Sequence, residues 1–167
     1  IKGPDVARGY WNRAEENQET FAARVAGTGE GPFLRTGDLG FVLDGNLYVT
    51  GRLKDLIIVR GRNHYPQDIE ATAEQAHPAL VAGGGAAFAV EIDGEDRVVI
   101  VHELSRHYRD GDLQEVFRRM RHEVAVEHEL ELHAIVLIRQ ASLPRTTSGK
   151  VQRALCRTRY LAGELKV

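Results

Sequence analysis

Two apolar runs, residues 86–92 (AAFAVEI) and 97–102 (RVVIVH), are separated only by Asp93-Gly94-Glu95-Asp96. Short runs rich in Val and Ile on either side of an Asp-Gly turn signal read as an antiparallel β-hairpin. An isolated two-stranded hairpin is marginal in water, so this pair needs neighbours that cover it. The flanks supply them. Pro66 suits the first turn of a helix running to about Ala76, with Ile69, Thr72, Ala73 and Ala76 on one face. Asp112-Leu113-Gln114-Glu115 resembles a capping box with Asp in place of Ser or Thr. The helix it starts places Leu113, Val116, Phe117, Met120 and Val124 at i, i+3, i+4, i+7 spacing. Residues 134–138 read as another strand. A last helix carries Val151, Ala154, Leu155, Thr158 and Leu161 on one face. The expectation is an α+β domain with a short antiparallel or mixed sheet flanked by helices.

The first third reads differently. Residues 12–25 suggest a polar helix, and residues 27–32 (GTGEGP) a loop. Residues 33–34, 40–43 and 47–49 read as short strands, the last two joined through Asp44-Gly45-Asn46. Residues 51–55 (GRLKD) form a polar joint before an apolar strand at 56–59. The pattern therefore changes near Lys54. Residues 1–53 are expected to be a β-rich remnant of a larger N-terminal domain, and residues 54–167 a separate small domain.

Composition limits the function classes. With 167 residues, 43% hydrophobic content and a net charge of −2, the chain can bury a core and is no general polyanion binder. Nucleic acid is not expected as a partner. The single cysteine, Cys156, excludes an internal disulfide framework and suits a reducing cytoplasm. No apolar run approaches the ~18 residues of a membrane span. No His or Cys spacing suggests a metal site.

The stretch PRTTSGKVQR, residues 144–153, raises the question of phosphate handling. A P-loop requires a glycine where Pro144 stands and a Ser or Thr where Val151 stands, so that reading fails. Read locally, Thr147 or Ser148 caps the last helix and Lys150 is a solvated first-turn residue. Two further stretches bear on the choice. Asp38, on the tight turn of FLRTGD, is either a turn-former or a carboxylate able to accept both hydroxyls of a ribose. Arg52, in GRLKDLIIVRGRNHYPQDIE, is either a loop charge or a donor to ribose or phosphate oxygens.

Taken in order, RTGDLG, GRLKDLIIVRG and PRTTSGKVQR resemble the adenylate-forming superfamily of acyl- and aryl-CoA synthetases, luciferases and peptide-synthetase adenylation domains. The fatty acyl-AMP ligase branch is the nearest. RGRNHYPQDIE is similar to its version of that segment, as are Gly9-Tyr10-Trp11-Asn12-Arg13 and Thr20-Phe21, although Ala14 stands where a proline is common. The resemblance implies that Asp38 holds the ribose of ATP, that Arg52 reaches the nucleotide, and that Lys54 is a hinge. It implies that Lys150 enters the active site during adenylation, between the carboxylate substrate and the α-phosphate, with Mg2+ on the phosphates. It also implies a fatty acid substrate and, as acceptor, an acyl carrier protein, often serving a polyketide synthase. A free-coenzyme A ligase, a peptide-synthetase adenylation domain and a non-catalytic carrier-docking module are the alternatives. The phosphate loop, adenine pocket and acyl tunnel of the family have no counterpart among these residues, so these 167 residues alone are expected not to adenylate.

Three smaller expectations complete the reading. The Ser148-Gly149 approach to Lys150 is expected to be flexible, letting the lysine arrive and leave. Arg139, Arg145, Lys150, Arg153, Arg157 and Arg159 form a strip that is either a carrier-docking surface or a solvated helix face. Cys156 is read as structural, and His64 as structural or facing the cleft.

Overall fold

The structure is a computed structural model that describes residues 1–108 and 111–167. The chain divides into two compact units, Ile1–Lys54 and Asp55–Val167.

The first unit holds helix α1 (Ala14–Phe21) and an antiparallel hairpin of β1 (Asp38–Leu43) and β2 (Asn46–Arg52). The helix is shorter than the sequence suggests. Asn12 takes a left-handed φ of 55°, which no helix interior tolerates, so α1 starts after it. Phe33 forms a lone bridge to Ala23 rather than a strand. The hairpin turns on Asp44 and Gly45, both left-handed, as a two-residue turn matched to strand twist requires. Gly40 sits at a bulge, where a Cβ would fall 2.5 Å from the Tyr48 carbonyl oxygen. Phe41 stacks on its cross-strand partner Tyr48, with ring centroids 5.2 Å apart.

The second unit is built on a three-stranded sheet of β5 (Leu80–Ile92), β6 (Glu95–Leu104) and β7 (Leu132–Arg139), in the order β5-β6-β7. β5 and β6 are antiparallel, while β6 and β7 are parallel, so the sheet is mixed. The β5–β6 turn is tighter than the sequence suggests. Asp93 and Gly94 both adopt positive φ, leaving Glu95 and Asp96 to extend the strand. A small hairpin of β3 (Ile57–Val59) and β4 (Arg62–His64) precedes the sheet.

Because side chains alternate along a strand, β6 serves two cores at once. Val98 and Ile100 pack under α2 (Pro66–Gln75) and α3 (Leu113–His128), against Ile69, Ala73, Val116, Met120 and Val124. Val99 and Val101 face the opposite layer with Phe88, Val90, Ile138, Leu143 and Cys156 of α4 (Arg153–Leu161). Asp112 caps α3, its carboxylate accepting from the amides of Gln114 (2.9 Å) and Glu115 (3.3 Å). The reciprocal half of the capping box is not made. Glu115 instead pairs with Arg119 one turn on, at 2.7 Å.

Helix α4 corrects the sequence reading. It starts at Arg153 behind Gln152, which provides no side-chain cap, so neither Thr147 nor Ser148 caps it. Its buried residue is Cys156, whereas Leu161 is 59% exposed. Only nine residues long, the helix rests on the sheet through Cys156, with Tyr160 partly buried against the same core. No helix among the described residues is long and apolar enough to cross a membrane.

Candidate functional site

In the first unit, hairpin register brings two of the anticipated residues together. Asp38 opens β1 and Arg52 closes β2 directly opposite it, with Arg52 Nε 3.4 Å from Asp38 Oδ1. The Asp38 amide donates to Thr36 Oγ1 at 3.1 Å, and Gly37 takes φ +79° and accepts at its carbonyl from Leu53 N at 2.8 Å. The TGD turn thus presents the carboxylate from a hydrogen-bonded corner. The pair is open, with side-chain exposures of 71% for Arg52 and 37% for Asp38. An ion pair of that exposure is worth only ~0–1 kcal/mol, so both groups can exchange each other for ligand oxygens at little cost. Lys54 lies exposed in a short 3-10 turn, Leu53–Asp55, as the last residue of its unit.

In the second unit, Lys150 stands on a closed hairpin. Arg145 and Val151 form a β-bridge. Inside it, Thr146 N donates to Lys150 O (2.8 Å), Gly149 N to Thr146 O (2.9 Å), and Lys150 N to Thr146 Oγ1 (3.0 Å). Gln152 N then reaches back to Pro144 O at 2.9 Å. Gly149 takes φ +84°, which closes the turn. Arg145 donates to Gly149 O at 3.0 Å and also to Gly83 O on β5, lashing the turn to the sheet. The expected looseness of the Ser148-Gly149 approach is therefore corrected. The backbone that presents Lys150 is braced, and freedom is left to the exposed side chain, whose ammonium has no partner among the described residues.

Beneath the hairpin lies an ion cluster. Arg153 makes a two-pronged contact with Glu70, Nε to Oε1 at 2.6 Å and Nη2 to Oε2 at 2.7 Å, and Nη1 reaches Asp55 Oδ2 at 3.4 Å. Glu70 Oε1 also accepts from Ala87 N at 2.8 Å. The hydrogen-bonded Glu70 carboxylate raises the pKa of Arg153, against the opposing effect of burial. A hollow of about 350 Å³ between α2 and the hairpin has a mixed lining that includes Gln67, Glu70, Ala71, Glu74, Arg145 and Val151.

These contacts also revise the basic strip. Arg145 and Arg153 are committed as above, and Arg157 donates to Ala89 O at 2.9 Å. Arginine patterning in the sequence cannot separate solvated charges from those bonded within the domain, so the strip is not a continuous free surface. The intradomain bonds of Arg145 and Arg153 were missed, as was Glu70. The available signal was Glu70 lying one residue after Ile69 and three before Ala73, beside the buried stripe of α2.

Three further groups have shifted pKa values. Cys156 is fully buried and its thiol is pushed up to about 11, chiefly by that burial. His64, on β4, has its pKa lowered first by burial and then by Arg62 and His128. His102 is fully buried and its pKa is lowered by desolvation. Its Nδ1 donates to Glu103 O at 3.1 Å, while Nε2 has no partner among the described residues. No cluster of three or more His, Cys, Asp or Glu among the described residues is arranged to hold a metal.

The family model described as "Disco-interacting protein 2-like, AMP domain" matches residues 54–167, more than half of the chain. The chain is 55% identical over 163 residues to the medium-chain-fatty-acid–[acyl-carrier-protein] ligase JamA of Moorena producens, covering 97% of this chain and 28% of that protein. Among solved structures, a chain from work on fatty acyl-adenylate ligases of E. coli and L. pneumophila superposes with a TM-score of 0.76 at 38% identity, over 96% of this chain and 26% of the other. ATP-bound MatB from Rhodopseudomonas palustris superposes with a TM-score of 0.74 at 28% identity, over 98% and 30%. The chain thus spans little more than a quarter of the curated relative it matches. The α/β fold of the described residues matches that of these fatty acyl-adenylate ligase relatives, and the chain belongs to the Disco-interacting protein 2-like AMP-domain family.

Proposed function

We propose that this chain supplies the ribose-binding corner and the delivered lysine of an ATP-dependent fatty acyl-AMP ligase. The complete enzyme activates a fatty acid as its adenylate and hands the acyl group to the phosphopantetheine thiol of an acyl carrier protein, in the cytoplasm. The observation that carries this reading is Lys150, whose ammonium has no partner among the described residues, on a braced hairpin in a chain of this family. In the reaction, a fatty acid carboxylate oxygen attacks the α-phosphorus of ATP, the bond to the β-phosphate oxygen breaks, and pyrophosphate leaves. Two anions must meet, and negative charge gathers on the non-bridging oxygens. An ammonium held between them lowers both costs, and preorganisation makes it effective.

Asp38 and Arg52 are assigned to the nucleotide: the carboxylate accepts from the ribose hydroxyls and the guanidinium donates to sugar or phosphate oxygens. Lys54 is assigned as the hinge, a reading supported by the division of the chain between Lys54 and Asp55. Rotation there would withdraw Lys150 after adenylation and admit the carrier thiol. No described residue cluster of this chain fits a metal, so Mg2+ is proposed only as the counter-ion of the nucleotide phosphates.

The test is Lys150→Ala in the complete ligase. Pyrophosphate exchange with a fatty acid is expected to fall by about 10²–10³. Unchanged exchange would remove Lys150 from the chemistry. Product analysis with holo carrier protein against free coenzyme A settles the acceptor.

A further inference from the structure

The hairpin that carries Lys150 is joined to the junction of the two units by a route much shorter than the chain. Asp55 is the first residue after Lys54, and it lies 98 residues from Arg153 in sequence. In the fold, Asp55 Oδ2 is 3.4 Å from Arg153 Nη1. Arg153 opens α4, three residues after Lys150, and the Gln152 amide before it is bonded to Pro144 O at the base of the hairpin. The other two prongs of the guanidinium grip Glu70, which sits on α2 83 residues away and also holds the amide of Ala87 on β5.

The cluster differs in kind from the open pair in the first unit. Side-chain exposures are 23% for Arg153, 14% for Glu70 and 32% for Asp55. A two-pronged, half-buried Arg–carboxylate contact fixes direction as well as distance, because the planar fork matches the carboxylate in one orientation only. A lysine could not replace it at this position. Resting on the reading of Lys150 given above, we propose that Arg153 is a positioning residue for Lys150. Through Glu70 and Asp55 it locks the base of the Lys150 hairpin to α2, β5 and the residue next to the hinge. Rotation about Lys54 then moves the ammonium with a rigid body rather than with a pliable loop. Arg153 need touch neither ATP nor fatty acid. Its effect reaches the chemistry only through the placement of Nζ, where ~1 Å of error can cost ~10²-fold in rate.

The experiment uses the complete ligase with K150A, R153M and K150A/R153M, each measured in two half-reactions. Adenylation is read by pyrophosphate exchange, and transfer by release of the acyl group from supplied acyl-adenylate to holo carrier protein. R153M is expected to lower adenylation about 10- to 100-fold and to change transfer by less than about twofold, since transfer does not use Lys150. In the K150A background, R153M is expected to cost less than about twofold more, because a residue that acts through Lys150 has nothing left to position. R153K is expected to restore only a minor part of the loss, having no fork. If R153M does not fold, E70Q goes through the same cycle, since it keeps an acceptor for Ala87 N but discharges the partner of Arg153. Equal loss in both half-reactions, full rescue by R153K, or undiminished loss in the K150A background would overturn the proposal as a merely structural effect. Intact adenylation in R153M beside a crippled K150A would overturn it alone. Intact adenylation in K150A would overturn the reading of Lys150, and this proposal with it.

Discussion

Glu103 offers the sharpest stability test of how the Lys150 hairpin is held. It is 3% exposed near the end of β6, on the face that meets α4, and its Oε1 accepts from Leu143 N at 2.8 Å. Leu143 is the residue before Pro144, so this one hydrogen bond fastens the root of the hairpin to the central strand. In Glu103→Ala the Leu143 amide is left buried without an acceptor, which costs ~1–3 kcal/mol. The emptied side-chain space costs roughly 1 kcal/mol more. Release of a buried carboxylate offsets part of this, and the net expectation is ~2–3 kcal/mol. Glu103→Gln keeps an oxygen in place and loses only the charge assistance, an expected ~1 kcal/mol. The assay is urea unfolding followed by far-ultraviolet circular dichroism, because α2, α3 and α4 all lie in the second unit. Trp11, the single tryptophan, lies in the first and is silent about this site. With m near ~2 kcal/mol/M, the midpoint should drop by about 1–1.5 M for Ala and about 0.5 M for Gln. If Gln is as damaging as Ala, or Ala is silent, the carboxylate is not the anchor.

Cys156 should resist thiol reagents in the native state. A pKa of about 11 against 9.0 for the free thiol leaves roughly a hundredfold less thiolate at any pH below both, and burial adds to this; rapid labelling without denaturant would contradict that. His102 should make stability fall in acid. Its pKa in the fold lies below the ordinary 6.5, so the unfolded chain binds the proton first and stability drops as pH falls from about 6.5 toward the folded value. The groups facing it pull the other way: Glu74, Glu103 and Glu70 all raise its pKa, less strongly than burial lowers it. His102→Gln should flatten that slope between pH ~7.5 and ~5.5, and an unchanged slope would assign the acid sensitivity elsewhere.

Much of the architecture was legible because its causes are local. Pro66 and Asp112 start α2 and α3 through backbone geometry and capping within one turn. Val116, Met120 and Val124 are buried where helical period places them. The Asp-Gly pairs at 44–45 and 93–94 make the turns their left-handed conformations allow. The order of the Asp38, Lys54 and Lys150 motifs pointed to the family for the same reason: each is a short string whose chemistry is carried in a few adjacent residues.

Tertiary structure decided which groups are spent and which are free. In sequence, Arg145, Lys150, Arg153 and Arg157 are alike, four cations in a basic stretch. In the fold, the three arginines are bonded to Gly83, Glu70 and Ala89 while the lysine alone remains unpaired among the described residues. Those partners lie 62, 83 and 68 residues away, beyond any periodicity or capping rule. Likewise α4 turns Cys156 rather than Leu161 inward because the shape of the β5–β6–β7 face selects the stripe that fits it. Local strings name the chemistry a chain can perform. The packing of distant surfaces assigns each charge either to holding the fold or to meeting a substrate, because only packing fixes which partner lies within hydrogen-bond reach.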